Sequence, residues 1–392
     1  MGRAAAGGGP RAAGPQRARD PGAGRVSGAA PLAMPALRPG ERARPVLVTG
    51  GAGFIGSNLA DRLLRDGHEV LVFDALARPG VAANLEWLKQ QHGARMIPMV
   101  ADLRDDAAVR EAARDAQAVF HLAAQVAVTT SLHDPREDFD VNLRGTFTLL
   151  EALRQRGEKV PLIFASTNKV YGNLPDIALE RSGEAYVPVD PAIRERGIGE
   201  QRPLDFHTPY GCSKGAAEQY VLDYARSFGL PGAVLRMSCI YGERQMGTED
   251  QGWVAHFLIR ALRREPITIF GDGCQVRDLL QVQDAVDAYI AAWRRIGEVR
   301  GEAFNLGGGP GNAVSLRQVI AAIEAQLGHP VETVYGDWRA GDQRYYVSDT
   351  RRVTERLGLG APTPWRQGLA ALARWLDGRQ RGAALDVVSA AQ

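Results

Sequence analysis

The chain has 392 residues, 45% hydrophobic and 23% charged, with 47 Lys and Arg against 45 Asp and Glu and a formal net charge of +2. That length accommodates one large α/β domain and a smaller one with ample core. The near-balanced charge argues against a nucleic-acid or membrane-surface partner, and no run of about 18 apolar residues reads as a membrane span.

From Met1 to about Arg44 the chain is rich in Ala, Gly, Pro and Arg and poor in aromatic and β-branched residues, so it cannot bury a core. It lacks the apolar stretch of a secretory signal and the serines and periodicity of a transit peptide. Residues 1–44 therefore read as a disordered tail, or as the product of a mis-set start with Met34 as the true first residue. The fold signal begins at Pro45.

Pro45-Val46-Leu47-Val48-Thr49 is a buried-strand pattern, followed by Gly50-Gly51-Ala52-Gly53-Phe54-Ile55-Gly56 and an amphipathic helix over Ser57 to Asp66. A second strand spans His68 to Phe73 and ends at Asp74; a third spans Met96 to Val100. A helix over Ala107 to Arg114 leads to a fourth strand, Ala118 to Leu122. Helix Asp138 to Arg156 leads to strand Leu162 to Ala165, and helix Tyr210 to Phe228 to strand Gly232 to Met237. This alternation predicts an α/β fold with a doubly wound parallel sheet of Rossmann type over 45–240. The long insert 173–207, with its charges, prolines and glycines, reads as a functional loop over the site.

Beyond Tyr241 the elements shorten, with a turn at Gly307-Gly308-Gly309 and a helix over Ser315 to Leu327. Residues 241–380 are expected to form mainly a smaller C-terminal substrate-binding domain, with 281–296 packing back on the large domain and 381–392 a flexible tail. Cys212, Cys239 and Cys274 are widely spaced and form no CxxC pair. They read as reduced thiols of a cytoplasmic protein, with no metal site.

The glycine turn follows a strand and opens a helix, and Asp74 lies 24 residues after Gly50. Gly50 permits the tight turn, Gly53 with Phe54 and Ile55 brings backbone N–H groups to a pyrophosphate, and Gly56 permits close packing. A carboxylate at Asp74 suits a ribose 2′-OH and repels a 2′-phosphate, so NAD is favoured over NADP, with Arg78 nearby as the one opposing feature. Tyr210 and Lys214 lie at i and i+4 on one helix face. A free phenol, with a pKa of about 10, is a poor base at neutral pH, and an ammonium one turn away favours the phenolate.

With the glycine turn and this pair placed, the chain resembles the extended short-chain dehydrogenase/reductase superfamily of nucleotide-sugar enzymes, from about Pro45 to Arg374. Asp102-Leu103-Arg104-Asp105 resembles its adenine-contacting loop. His121-Leu122-Ala123-Ala124 and Asn142-Leu143-Arg144-Gly145-Thr146 resemble two motifs lining its cofactor groove. Within the superfamily the chain is most similar to the CDP-paratose/CDP-tyvelose 2-epimerase family. The similarity is carried by Ser166-Thr167-Asn168-Lys169-Val170-Tyr171-Gly172, by Leu204 to Gly215, and by Tyr241-Gly242-Glu243-Arg244-Gln245. Asp250-Gln251-Gly252-Trp253-Val254 and Gln275-Val276-Arg277-Asp278 add to it.

The resemblance implies oxidation of the C2 hydroxyl of a CDP-linked (deoxy)hexose to a 2-keto intermediate, then reduction on the other face. Tyr210 would be the base, Lys214 would lower its pKa and hold the nicotinamide ribose, and Thr167 would bond the reacting hydroxyl. The implied substrate contacts are Asn168, Cys239, Arg277 and Arg339, with Arg344, Gln245 and Gln251 assisting. His207 is a substrate contact, a proton relay or a buried structural histidine, and Tyr171 is placed at the nicotinamide edge, with core packing as its alternative. The two long helices imply a homodimer built on a four-helix bundle.

Rival chemistries differ at identifiable positions. A 4,6-dehydration needs extra acid/base groups, which the dehydratases carry as carboxylates directly after the site threonine; Asn168 and Lys169 stand there, which disfavours it. A UDP-sugar 4-epimerase uses the same trio and differs only in the carbon presented. Cys239 stands where many relatives carry an Asn, and a thiol is a weak hydrogen-bond former, so the sugar contacts differ. A non-catalytic NAD-binding regulator is disfavoured by the intact Thr167, Tyr210 and Lys214.

Overall fold

The computed structural model describes residues 44–339 and 341–390. The tail read from the sequence at 1–44 lies, apart from Arg44, outside the described residues. Strands β1 (Val46–Thr49), β2 (Val70–Asp74), β3 (Met96–Val100), β4 (Ala118–His121) and β5 (Leu162–Thr167) follow in order. In the insert, β6 (Leu179–Ser182) and β7 (Ala185–Pro188) form an antiparallel hairpin. After β8 (Gly232–Met237) come β9 (Cys239–Tyr241), β10 (Ile267–Phe270) and β11 (Val276–Gln281). Then follow β12 (Ala303–Leu306), β13 (Ala313–Ser315), β14 (Thr333–Gly336) and β15 (Tyr345–Tyr346).

Among the described residues the main sheet has seven strands in the order β12-β8-β5-β4-β1-β2-β3, every neighbouring pair parallel. This is the doubly wound Rossmann sheet. Alternation along β1 explains its burial on both faces: Val46 and Val48 join one apolar cluster and Leu47 the other. Strand order reverses between β1 and β4, and there such a sheet opens a crevice at its carboxyl edge. A third cluster, including Val254, Leu258, Ile267, Leu279, Val319 and Ile323, is the core of the smaller C-terminal lobe. Helix Val282–Arg294 packs against helix Phe54–Arg65 and buries Val282, Ala285, Val286 and Tyr289.

Several boundaries differ from the sequence reading, each for a local reason. The first helix starts at Phe54 rather than Ser57, because Gly53 N–H bonds to Gly50 O (3.0 Å) and Ser57 N–H to Gly53 O (2.9 Å), so the glycine turn flows into the helix. The helix placed from Asp138 begins at Pro135, capped by Asp134, and widens into a π-helical turn at Asp140–Arg144. Helix Trp365–Ala390 runs through most of the segment placed as a flexible tail.

The insert, read from the sequence as a loop, carries the β6–β7 hairpin and is strapped to the C-terminal lobe. Tyr186 N–H bonds to Cys274 O (2.9 Å), Ile198 N–H to Val347 O (2.7 Å) and Asp349 N–H to Ile198 O (2.9 Å). Its backbone groups thus find partners on the C-terminal lobe. Near its start, Asn173, Leu174, Pro175, Ile177 and Leu179 line a cavity of about 340 Å³ together with Asp342, Arg344 and Tyr345.

Candidate active site

The crevice between β1 and β4 is shaped by glycines with no room for a side chain. Gly50 has φ +67°, and a Cβ there would meet Ala123 N at 2.7 Å; a Cβ at Gly56 would fall 2.0 Å from Gly50 O. At Gly53 the nearest atom to an added Cβ is Gly50 O at 3.0 Å and little else is close, so that side of the turn is open. Gly53 heads the helix with no side-chain cap, leaving the first N–H groups of Phe54, Ile55 and Gly56 directed at the opening. This cradle fits a dinucleotide pyrophosphate.

Asp74, at the end of β2, accepts from Ala52 N–H (3.0 Å) and Leu76 N–H (2.8 Å), so its carboxylate is held against the turn. Burial raises its pKa and these backbone donors oppose the rise. Arg78 is exposed on the loop that follows. Asp102 pairs with Arg104 (2.7 Å), and Leu103 is buried against Gly145. Ala123, followed by Ala124, donates its N–H to Thr49 Oγ1 (3.3 Å). Beneath them His121 is bonded through Nδ1 to Thr49 (2.7 Å) and through Nε2 to Thr146 (2.9 Å). Burial, assisted by the Lys214 charge, pushes its pKa down to about 3, so it is neutral.

Thr167 ends β5, and Tyr210 and Lys214 stand on the first two turns of helix Thr208–Ser227. The Thr167 hydroxyl is hydrogen-bonded to the Tyr210 phenol, which lowers the phenol's pKa, but burial outweighs it and pushes Tyr210 up to about 12. Lys214 is 3% exposed, with Nζ 4.2 Å from the centre of the Phe164 ring. Burial pushes it down to about 7, against the pull of Asp138 and Glu218. The sequence reading has Lys214 lowering the pKa of Tyr210. In the structure burial is the largest influence on both groups, with Thr167 and Asp138 acting on Tyr210 and Asp138 and Glu218 on Lys214.

Residues that the sequence reading passed over hold this pair. Asp138 accepts from Ser213 Oγ and from Gln125 Nε2 (2.8 Å). Asn142 joins the same network. Its Oδ1 accepts from Gln125 N–H (2.8 Å), and its Nδ2 reaches Gln125 O (2.9 Å), Asp138 (3.1 Å) and Ser213 (3.1 Å), so it braces the groove from beneath. One turn past Lys214, Glu218 takes Ser166 Oγ (2.6 Å) and the Arg236 guanidinium (2.5 Å) in a fully buried pair.

Tyr171 belongs to that network rather than to a nicotinamide edge. Its hydroxyl donates to Asn305 Oδ1 (2.8 Å) and accepts from Arg236 (2.8 Å), its ring stacks on Tyr346, and burial pushes it up to about 12.

On the substrate side, Asn168 Nδ2 donates to Gln343 Oε1 (3.1 Å) and Lys169 Nζ to Gly341 O (3.0 Å). Lys169, pushed down to about 8 by burial and by Arg277, shares a small cluster with Asp342 and Cys239. Arg277 donates to Asp342 Oδ1 (2.7 Å). Cys239 Sγ accepts from Trp253 Nε1 (3.4 Å), and burial pushes the thiol up despite Arg277 and Lys169.

The remaining predicted residues stand further out. Arg339 is bonded to Glu249 O (2.9 Å) and lies 3.7 Å from the centre of the Phe270 ring. Arg344 lies over Trp338 and Tyr186. Gln245 bonds Ile240 O (3.2 Å) and leaves a buried Oε1 without a partner, while Gln251 pairs with Thr248 in a tight turn. His207 is partly exposed and pairs with Asp205 (3.0 Å). Gln343 and Asp342 were missed; their one sequence signal is a polar Gly341-Asp342-Gln343 turn just before the apolar Tyr345-Tyr346-Val347. Among the described residues no group of three or more His, Cys, Asp or Glu is placed to hold a metal, and no helix is long and apolar enough to cross a membrane.

Residues 46–307 match the model of the NAD dependent epimerase/dehydratase family. The chain is 39% identical to a CDP-paratose 2-epimerase of Salmonella typhi, over 84% of this chain and 98% of that one. It is 35% identical to a UDP-glucose 4-epimerase of Mycolicibacterium smegmatis, over 83% and 96%. Among solved structures, a Thermotoga maritima UDP-glucose 4-epimerase with UDP-glucose superposes with a TM-score of 0.74 at 31% identity, covering 86% of this chain and 99% of that one. A Thermus thermophilus UDP-glucose 4-epimerase complexed with NAD gives 0.71 at 32% identity, covering 85% and 99%. Sheet order, glycine cradle and sequence match agree: this chain belongs to the NAD dependent epimerase/dehydratase family of extended short-chain dehydrogenases/reductases, with NAD as its cofactor.

Proposed function

We propose that this protein is a nucleotide-sugar 2-epimerase that inverts C2 of a CDP-linked (deoxy)hexose by oxidation to a 2-keto sugar and re-reduction. The observation that carries the reading is the contrast around Thr167. The trio Thr167, Tyr210 and Lys214 is intact, while the next two positions hold Asn168 and Lys169, both committed as hydrogen-bond donors. Neither supplies the carboxylic acid that dehydration needs. For C2 over C4, the support is the 39% identity to a 2-epimerase against 30–35% for the UDP-glucose 4-epimerase relatives.

Tyr210 takes the proton of the reacting hydroxyl, and Thr167, already bonded to the phenol, holds that hydroxyl in line. Bound NAD⁺ would supply the hydride acceptor for the oxidation and return the hydride in the reduction. Lys214, with a pKa of about 7, exchanges a proton readily at neutral pH. Backbone N–H groups at Gly53 to Gly56 hold the pyrophosphate, Asp74 the adenosine ribose, and Asp102, Leu103, Ala123 and Ala124 border the groove. Arg277 and Arg339 offer guanidinium forks to the sugar's diphosphate. Cys239 stands where it reads the sugar weakly. The helix pair carrying Phe147 and Tyr220 is the proposed homodimer face, and the free thiols suit a reducing cytoplasm.

The test offers CDP-, UDP- and GDP-sugars to the purified protein in deuterated water and follows C2 and C4 by NMR. Inversion at C2 with no solvent deuterium at that carbon is expected. Deuterium entering C2, or inversion confined to C4, refutes the proposal.

A further inference from the structure

The two positions after Thr167 reach across the site. Asn168, 7% exposed, donates to Gln343 Oε1, and Gln343, fully buried, donates its own amide to Gly172 O (2.6 Å). Lys169 donates to Gly341 O, and its ammonium lies 3.9 Å from Asp342, which also takes the Arg277 guanidinium. Gly341 is packed so closely on the catalytic helix that a Cβ there would meet Thr208 Cγ2 at 2.8 Å. Three hydrogen bonds and the longer Lys169–Asp342 ion pair therefore bind the Gly341–Gln343 turn, and through Asp342 the arginine Arg277, to the end of the strand that carries Thr167.

Both latch partners are carbonyl oxygens, so both side chains must be donors. An ionised carboxylate at 168 or 169 accepts only, and would face an acceptor in either place. The residues that disfavour dehydration are thus the ones that this contact requires.

We propose that Asn168, Lys169 and Gln343 are positioning residues that set how far the diphosphate-binding arginine stands from Tyr210, and that this distance selects the carbon presented for oxidation. The inference rests on the C2 reading above. In a nucleotide sugar the diphosphate is borne by C1. C2 is bonded directly to C1, whereas C4 lies across the ring, so an enzyme oxidising C2 holds the diphosphate closer to its base than one oxidising C4. A latch that ties the Asp342–Arg277 pair to the residues adjoining Thr167 is the element that would set that separation.

The experiment compares the full-length parent with Asn168→Asp, Lys169→Met and Lys169→Arg. Asn168→Asp keeps the shape and removes the donor, and Lys169→Met removes the charge and the donor. Binding of CDP by calorimetry, kcat on the CDP-sugar and the inverted carbon by NMR are measured for each. Both donor deletions are expected to bind CDP within about threefold of the parent while kcat falls about tenfold or more, the signature of misplacement rather than lost binding. Lys169→Arg, which restores a donor, is expected to recover most of kcat. Thermal unfolding identifies any variant that fails to fold, and Lys169→Arg against the parent then decides. A loss confined to CDP affinity, or unchanged kcat in both deletions, overturns the latch while leaving the C2 reading intact. A parent that does not invert C2 overturns that reading, and the distance argument with it.

Discussion

At Tyr210 the phenol is pushed up to about 12 because burial penalises phenolate more than the Thr167 hydrogen bond favours it. Its activation therefore belongs to the loaded site. Tyr210→Phe should lower kcat by about 10²–10⁴, the usual worth of a positioned acid/base, with little change in thermal midpoint or NAD affinity. Steady-state kinetics with calorimetric NAD titration checks this. His121 gives a second prediction at this scale. Its pKa is about 3 when folded and 6.5 ordinarily, so between these values the unfolded chain binds a proton that the folded chain does not. Stability should fall as pH drops from about 6.5 toward 3 and be insensitive to this group above 6.5. In His121→Asn, urea midpoints measured across that window should lie on a flatter curve. An equally steep acid loss in the variant would assign the effect elsewhere.

The glycine turn acts as a unit with the helix it opens. Gly56 touches Gly50 backbone, where an added methyl has no flexible neighbour to displace, whereas Gly53 faces the opening. Gly56→Ala should therefore destabilise the fold itself. Gly53→Ala should keep its thermal midpoint within about 3 °C, yet lose NAD affinity about tenfold or more, because its methyl enters the space a pyrophosphate fills. Thermal shifts with and without NAD separate the two. This element was legible in the sequence because its constraint is local: strand, glycines, helix and acid lie within one βαβ unit. The insert was not. Its length suggested a loop, and only its partners at Cys274, Val347 and Ser348, far along the chain, make it a strap.

For the molecule as a whole, the proposed homodimer makes a prediction. Phe147, Tyr220 and Phe228 are 42–45% exposed, and Phe147 packs edge-on against Tyr220 at 5.6 Å on neighbouring helices. Such an aromatic face is unusual on a monomer surface and resembles the centre of an interface. Tyr220→Glu combined with Phe147→Glu should give a species of half the parent's mass by sedimentation, with its fold intact by circular dichroism. A parent already monomeric would refute the dimer.

The sequence by itself determined the doubly wound sheet, the NAD turn and the Thr167, Tyr210, Lys214 trio. Each is written in short-range periodicity or fixed spacing, which local backbone geometry converts directly into structure. It also supplied the absence of acids at 168 and 169. Only the tertiary structure decided what those two residues do instead, that Asn142 is tied to Gln125, Asp138 and Ser213, that Tyr171 is packed in the core, and that burial is the largest influence on Lys214 and Tyr210. These outcomes depend on desolvation and on partners such as Gln343, Asp138 and Arg236, which the chain brings together from distant positions and no local pattern encodes.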